Sequence, residues 1–315
     1  MSDYFDGEAG RLASVNISVG KGTVKSPVRS AEVGPLGIMG DAHAGDWDRQ
    51  ISLLGQSEVD AFSARAGRTI SPGEFAENLT IDGFDLRRVS LLDRLIIGDV
   101  ELEITRVGKK CHGSSCAIYR EVGDCIMPRQ GLFARVVSGG TLTSGAPVQW
   151  KRRIIRCVIV TLSDRASAGV YEDLSGPRVK ECMINHFCDT RWNFEYESKL
   201  IPDDPKLLDE LLVEAEARGV DVLLTTGGTG SGPRDFTPEV VASRLHKQIP
   251  GIMEHIRVKY GASNPHALLS RGVCGTMGST VVFTLPGSVK AVDEYMSELL
   301  SVLDHLVGMM HGLGH

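Results

Sequence analysis

The chain has 315 residues, of which 42% are hydrophobic and 23% are charged. This composition is typical of a globular protein with enough apolar material for two hydrophobic cores, and it argues against extensive disorder. The formal net charge of -6 argues against a nucleic-acid-binding surface. A phosphate-bearing ligand would therefore need local cations and backbone amides.

The first residues and the cysteines predict the cellular compartment. The opening segment MSDYFDGEAG has neither a basic leader nor an apolar core, and nowhere do about 18 apolar residues run together. The seven cysteines are odd in number and scattered, as expected for reduced thiols. We therefore expect a cytoplasmic protein without a membrane partner.

The first half of the chain is predicted to be mostly β. Short apolar runs at 14–19, 51–54 and 100–105 alternate with Gly, Pro and Asp turns. Only residues 57–66 have a helical pattern. Turn residues then lead to a boundary that we place near Trp150, which predicts domains 1–150 and 151–315.

The second half alternates strand-like and helical runs. The predicted elements are strands at 154–161, 194–201 and 220–225 and helices at 176–186 and 205–218. Leucines in the second of these helices recur at helical spacing and give it one apolar stripe. This alternation predicts a three-layer α/β domain with a mainly parallel sheet. The tail from Gly308 is expected to fray.

A glycine-rich loop follows the predicted strand at 220–225. Open α/β sheets bind ligands at the carboxyl ends of their strands, and glycines let backbone N–H groups converge on an anion. The residues expected to bind a ligand here are Thr225, Thr226, Gly227, Gly228, Thr229 and Gly230. A plain tight turn is the alternative, because the loop lacks both the Walker A lysine and the dinucleotide spacing.

Charged residues flank this loop. Downstream, Arg234 can pair with a phosphate and Asp235 can hold Mg²⁺, with a salt bridge between the two as the alternative. Thr237 is predicted to cap the next helix. Upstream, Asp203 and Asp204 follow a predicted strand, where either carboxylate can be a helix N-cap instead.

Three further corners between strands and helices are candidate anion sites. Helix N-termini there present unpaired N–H groups and a positive dipole end, and routine capping is the alternative for each corner alone. The residues at these corners, together with two nearby cations, are Ser163, Asp164, Arg165, Ser175, Gly176, Pro286, Gly287, Ser288, Arg271 and Lys290.

The order of these motifs resembles the molybdopterin adenylyltransferase family over about residues 154 to 307. The resemblance implies that Asp203 and Asp235 are catalytic and hold Mg²⁺. It implies that the loop and corner residues, with Ser270 and Arg271, bind the substrates ATP and molybdopterin. It also implies a homotrimer assembled through this domain.

Motifs of the first half resemble the MOSC domain found at the C-terminus of molybdenum cofactor sulfurases. They include Gly40-Asp41-Ala42-His43 and Glu77-Asn78-Leu79. The resemblance implies a β-barrel that handles the cofactor or its sulfur, with Cys111 as the candidate thiol and Cys116 and Cys125 as alternatives. Beside Lys109, Lys110 and His112 a cysteine can become a thiolate, whereas zinc binding is disfavoured because paired Cys-x-x-Cys hooks are absent. The alternative for Cys116 and Cys125 is that both are small core residues without a chemical role.

Two other functions remain open from the sequence. One is a carrier or insertion scaffold that holds molybdopterin or the finished molybdenum or tungsten cofactor, with a molybdenum-insertion enzyme as partner. The other is sulfur transfer through Cys111. The pair Asp203 and Asp235 favours the adenylyltransferase, because simple binding does not require two carboxylates beside a phosphorylated ligand.

Overall fold

The computed structural model describes residues 4–108 and 125–313. The chain divides into two compact units, Ser2–Arg153 and Ile154–Gly312. Within the described ranges, no helix has both the length and the apolar character needed to cross a membrane. Each unit has a hydrophobic core of its own.

The first unit is rich in strands. Its strands are β1 (Tyr4–Ile17), β2 (Ser26–Val28), β3 (Ser30–Gly34), β4 (Gly37–Ile38), β5 (Ile51–Gly55), β6 (Leu79–Asp82), β7 (Arg94–Ile97), β8 (Val100–Val107), β9 (Leu132–Ser138), β10 (Gly140–Thr143) and the first part of β11 (Pro147–Leu162). Its helices are α1 (Gln56–Ala66) and α2 (Met127–Gln130). The helix predicted at 57–66 is therefore confirmed as α1.

Strand pairing gives this unit a near-closed ring. Going round it, β1 pairs with β6, β6 with β5, β5 with β9, β9 with β8, β8 with β7, and β11 with both β7 and β1. Trp150 is fully buried in the core of this unit and stacks on Phe84 at 5.5 Å between ring centroids. Strands β3, β4 and β10 form a separate small sheet.

The second unit is mixed α/β. After β11 its elements are α3 (Asp164–Ser167), α4 (Ser175–Cys188), β12 (Asn193–Ile201), α5 (Pro205–Ala217), β13 (Val222–Thr226), α6 (Thr237–Arg244), β14 (Lys247–Gln248), α7 (Pro250–Gly261), β15 (Cys274–Met277), β16 (Thr280–Leu285) and α8 (Val289–Met310). The helices predicted at 176–186 and 205–218 are confirmed as α4 and α5.

The sheet of the second unit has the strand order β12-β11-β13-β16-β15-β14. The first four strands are parallel, whereas β15 and β14 pair antiparallel. The sheet is therefore mixed: β12, β11, β13 and β16 have the parallel arrangement that the sequence predicts, whereas β15 and β14 at the opposite edge do not. The carboxyl ends of β11, β12, β13 and β16 lie along one edge, where ligands of such sheets bind.

The apolar stripe of α5 explains how this helix packs. Leu208, Leu212 and Ala215 are buried in one cluster with side chains of β11, β13 and β16. The last helix, α8, contacts both α4 and β16.

Two predicted boundaries were wrong. The strand expected from residue 154 begins at Pro147, because the buried side chains of Val148 and Trp150 continue it into the first unit. The tail expected to fray from Gly308 remains helical to Met310. The imidazole Nε2 of His311 then lies 2.9 Å from Asp221 Oδ1, a contact that holds the end of α8.

Candidate functional site

Two aspartates join the ends of β11 and β12. The backbone N–H of Asp203 donates to Asp164 Oδ1 at 2.9 Å, and the N–H of Asp164 donates to Asp203 Oδ2 at 3.2 Å. The neighbouring Asp204 caps α5 by accepting from the N–H of Lys206 at 2.8 Å. Since Asp204 is the cap, the capping alternative for Asp203 is wrong.

The glycine-rich loop after β13 has a conformation that requires glycine. Gly227 and Gly228 have φ angles of 106° and 65°. A Cβ on Gly228 would lie 2.4 Å from the hydroxyl oxygen of Thr237, and one on Gly227 would lie 2.4 Å from the carbonyl oxygen of Leu162. The loop therefore packs against both the end of β11 and the start of α6.

In the segment after this loop, Arg234 and Asp235 have separate partners and do not pair with each other. Arg234 Nη1 donates to Asp164 Oδ2 at 3.2 Å. Asp235 Oδ2 accepts from the N–H of Gly232 at 2.7 Å. Arg234 thus connects the loop to Asp164 at the end of β11, and a direct pair between Arg234 and Asp235 is not formed.

These residues line one open cavity of about 360 Å³, here called the aspartate cavity. Its lining residues are Leu162, Ser163, Asp164, Arg165, Tyr171, Asp203, Gly228, Gly232, Pro233, Arg234 and Asp235. The structure therefore brings Asp203 and Asp235 to the same cavity, with two arginines beside them. Their catalytic roles stay a prediction.

The donor atoms of the aspartate cavity fit a hard divalent cation. Within the described residues, Asp203 Oδ1 and Asp235 Oδ1 have no hydrogen-bond partner, while the second oxygen of each carboxylate is held by a backbone N–H. No group of three or more His, Cys, Asp or Glu arranged for a metal occurs in those ranges. The two unpartnered carboxylate oxygens at one cavity suit Mg²⁺, which commonly takes one or two carboxylates and completes its shell with phosphate oxygens and water.

A second cavity of about 200 Å³, here called the small cavity, adjoins the first. It is lined by Thr161, Leu162, Ser163, Tyr171, Glu172, Asp173, Leu174, Ser175, Gly287 and Val289. Asp173 Oδ1 accepts from the N–H groups of Ser175 and Gly176 at 3.0 and 3.1 Å. The N–H groups expected to receive an anion at this corner therefore already have a carboxylate partner.

The hydroxyls of the glycine-rich loop point away from solvent. Thr225, Thr226 and Thr229 are buried. Thr226 Oγ1 donates to the carbonyl of Pro286 at 2.9 Å, which holds the loop beside the end of β16. Thr226 thus supports the loop in this structure, and ligand contact by the three hydroxyls stays a prediction.

Arg271 also supports the loop. Its Nε donates to the carbonyl of Gly230 at 2.6 Å, and its Nη2 donates to the carbonyl of Asp235 at 2.9 Å. Its Nη1 pairs with Glu239. Arg271 was expected to supply charge to the ligand, but here its guanidinium fixes the backbone around Asp235.

The remaining predicted residues lie outside the aspartate cavity. Ser270, with Arg271, lines a third cavity of about 400 Å³, and its Oγ accepts from the hydroxyl of Tyr295 at 2.7 Å. Ser288 caps α8, and Lys290 Nζ lies 3.8 Å from Glu294.

One predicted cap was wrong. Thr237 is the first residue of α6 rather than its N-cap, which is Phe236. The Thr237 hydroxyl is buried and has no hydrogen-bond partner among the described residues. The backbone N–H of Thr237 donates instead to the carbonyl of Gly228 at 3.1 Å, so the loop itself fixes the start of the helix.

Two residues of the small cavity were not predicted as site residues. Asp173 lies two residues before Ser175, a spacing typical of an Asx turn at a helix start, and this signal was available in the sequence. Tyr171 lies in an irregular loop, where no periodicity identifies it. Its hydroxyl lies 2.9 Å from Ser163 Oγ, and the Arg165 guanidinium lies over its ring at 4.9 Å.

In the first unit, the Gly-Asp-x-His motif contributes a buried ion pair. Lys25 Nζ lies 2.6 Å from Asp41 Oδ2. Burial alone would raise the pKa of Asp41, but Lys25 and the N–H groups of Ser18 and His43 hold that pKa below its usual value. The candidate thiol Cys111 and its alternative Cys116 lie outside the described residues. Cys125 is buried, as a core residue would be.

Comparison with known proteins matches both halves. A family model described as a probable molybdopterin binding domain matches residues 158–305, and a MOSC domain model matches residues 40–149. A molybdopterin adenylyltransferase of Helicobacter pylori is 31% identical over 155 residues, covering 49% of this chain and 86% of that protein. The chain therefore belongs to the family of the molybdopterin binding domain, and it carries a MOSC domain ahead of that domain.

Two further similar proteins also match the second half of the chain. Gephyrin of Dictyostelium discoideum is 34% identical over 161 residues, which are 49% of this chain but only 22% of that protein. This chain thus spans less than a quarter of the length of that relative. A solved molybdopterin biosynthesis protein from Mycobacterium abscessus is 32% identical, covers 50% of this chain and 95% of that chain, and has a TM-score of 0.44.

Proposed function

We propose that this chain acts in molybdenum cofactor biosynthesis and that its second unit transfers adenylate from ATP to molybdopterin. The observation that carries the proposal is the shared cavity of Asp203 and Asp235, with Arg165 and Arg234 beside them. The likeness to a molybdopterin adenylyltransferase over 86% of that enzyme supports it.

In this reaction a terminal phosphate oxygen of molybdopterin attacks the α-phosphorus of ATP, and pyrophosphate leaves. Such a transfer asks the protein for alignment and charge neutralisation rather than for a covalent nucleophile. Arg165 and Arg234 would bind phosphate oxygens, and Arg271 would keep the backbone of Asp235 in place. Asp203 and Asp235 would hold Mg²⁺, which when bound supplies positive charge beside the phosphates.

The fused MOSC domain extends this proposal. Handling of the cofactor or its sulfur by that domain, with Cys111 as the thiol, would place two steps of one pathway on one chain. Fusion raises the local concentration of an intermediate passed between them. Assembly into a homotrimer through the second unit is part of the same proposal.

The direct test is pyrophosphate release from labelled ATP by purified protein with molybdopterin and Mg²⁺. We expect Asp203→Asn and Asp235→Asn each to lower kcat by about 100-fold or more, because Asn keeps the oxygen that accepts the backbone N–H but removes the charge.

Asp204→Asn is the matched control. Asn is as good an N-cap as Asp, and Asp204 does not line the aspartate cavity, so this variant should retain activity. Absence of turnover by the unchanged protein, together with tight binding of molybdopterin, would replace the proposed enzyme by a carrier.

A further inference from the structure

The small cavity and the aspartate cavity share a wall but differ in charge. Both are lined by Leu162, Ser163 and Tyr171. The aspartate cavity also contains Arg165 and Arg234. The small cavity contains two carboxylates and no Lys or Arg. Of these two cavities, only the aspartate cavity therefore offers cationic side chains to a phosphate chain.

Tyr171 is the aromatic side chain of the shared wall. Tyr171 is 47% exposed although its hydroxyl is hydrogen-bonded to Ser163, so part of the residue is open to a ligand. The Arg165 guanidinium covers one face of the ring at 4.9 Å. Arg165 lines the aspartate cavity and not the small one, whereas Tyr171 lines both, so the Tyr171 side chain borders the small cavity without Arg165.

The polar groups of the small cavity suit an uncharged donor. Asp173 Oδ1 accepts from the start of α4, whereas Asp173 Oδ2 has no hydrogen-bond partner in the described part of the chain. Glu172 is exposed and lines the same cavity. An exocyclic amine of a planar base could donate to such carboxylates while its ring lies on Tyr171.

We propose that the small cavity is the subsite for the purine base of the nucleotide and that Tyr171 positions the base by stacking. The phosphates of the same nucleotide would then extend past Tyr171 into the aspartate cavity. This assignment rests on the proposed use of ATP, and it adds the part of the cleft that selects the base.

The test compares two ligands that share a chain of three phosphates and differ in whether a nucleoside, with its base, is attached. Mg-ATP and Mg-tripolyphosphate are titrated into the full-length protein and its variants by calorimetry. For Tyr171→Ala we expect the Kd of ATP to rise about tenfold, the size of one lost base–aromatic stack, while the Kd of tripolyphosphate stays unchanged. Tyr171→Phe keeps the ring and should stay close to the unchanged protein for both ligands.

Val170→Ala is the matched control, because Val170 is an exposed neighbour that lines neither cavity. An unchanged ATP affinity of Tyr171→Ala would overturn the assignment. Equal losses for both ligands would also overturn it, since they would mean that the loop has moved. Failure of the unchanged protein to bind ATP overturns it as well.

The proposed activity fails separately from this subsite. If the unchanged protein binds ATP and Tyr171→Ala weakens only that binding, the base subsite is supported even when no pyrophosphate is released. If pyrophosphate is released and the Tyr171→Ala variant binds ATP normally, the adenylyltransferase stands and the base subsite is rejected.

Discussion

A buried carboxylate holds together three parts of the first unit. Asp93 accepts hydrogen bonds from the Trp150 indole N–H at 2.8 Å and from the backbone N–H groups of Ser90 and Arg153 at 2.9 and 2.7 Å. Burial raises the pKa of Asp93 to about 6, although these hydrogen bonds work in the opposite direction. The folded state therefore binds the proton more tightly than the unfolded chain does.

The raised pKa of Asp93 means that protonation of this carboxyl stabilises the folded state at low pH. The stabilisation from this proton is fully present below the pKa of the unfolded chain, near 4, and is lost as the pH rises through about 6. We expect Asp93→Asn to lower the free energy of unfolding by about 2 kcal/mol at pH 7, because the amide NH₂ meets N–H donors. The difference in free energy of unfolding between the unchanged protein and the variant should grow as the pH is lowered from 7 to 5, as measured by urea unfolding.

Asp99→Asn is the control, because Asp99 is an exposed carboxylate of the same unit. A deficit of Asp93→Asn that is constant from pH 7 to pH 5 would contradict the role given to the proton on Asp93.

At this scale, some site residues can be predicted from sequence and others cannot. Asp203 and Asp235 could be placed together, because each follows a strand of the parallel part of the sheet and such ends meet at one edge. Tyr171 could not, since its position depends on contacts with Arg165 and Ser163 across an irregular loop. The supporting role of Arg271 depends on a loop that is distant in the chain.

At the scale of elements, the glycine-rich loop and α6 pack against each other at Gly228 and Thr237. The carbonyl of Gly228 fixes the first N–H of α6, and the Thr237 side chain occupies the space beside Gly228. Any side chain at this position would push the helix away from the loop that carries Asp235.

We expect Gly228→Ala to abolish most pyrophosphate release, because its Cβ would lie 2.4 Å from Thr237 Oγ1. Gly219→Ala is a closely matched control, since Gly219 has a similar φ of 64° but open space around its Cβ position. Both variants carry the strain of a left-handed alanine, about 1 kcal/mol, and the contact with Thr237 should lower the melting temperature of Gly228→Ala further. Equal activities in the two variants would show that the packing of Gly228 against Thr237 is unimportant.

Elements differ in how well their sequence predicts them. The helix α5 was predicted almost to its ends, because its leucine stripe and its Asp204-Pro205 start act locally. The start of β11 was not, because Gly145 and Pro147 indicate a turn while pairing with β1 and β7 continues the strand. The antiparallel β14 and β15 are set by the neighbouring β16 rather than by their own short sequences.

At the scale of the whole molecule, a chain with a net charge of -6 is proposed to bind two polyanions. Long-range attraction does not help such binding, so it must come from local groups. In the aspartate cavity, Arg165 and Arg234 lie beside three carboxylates. A divalent cation shared between carboxylates and phosphates would resolve this local excess of negative charge.

The most direct test of this account is the position of the metal in crystals of the protein grown with Mn²⁺ and a non-hydrolysable ATP analogue. We predict an anomalous peak within about 2.5 Å of one carboxylate oxygen of Asp203 and one of Asp235, with phosphate oxygens completing the shell. A metal bound only to phosphates, or phosphates bound away from the aspartate cavity, would contradict the account.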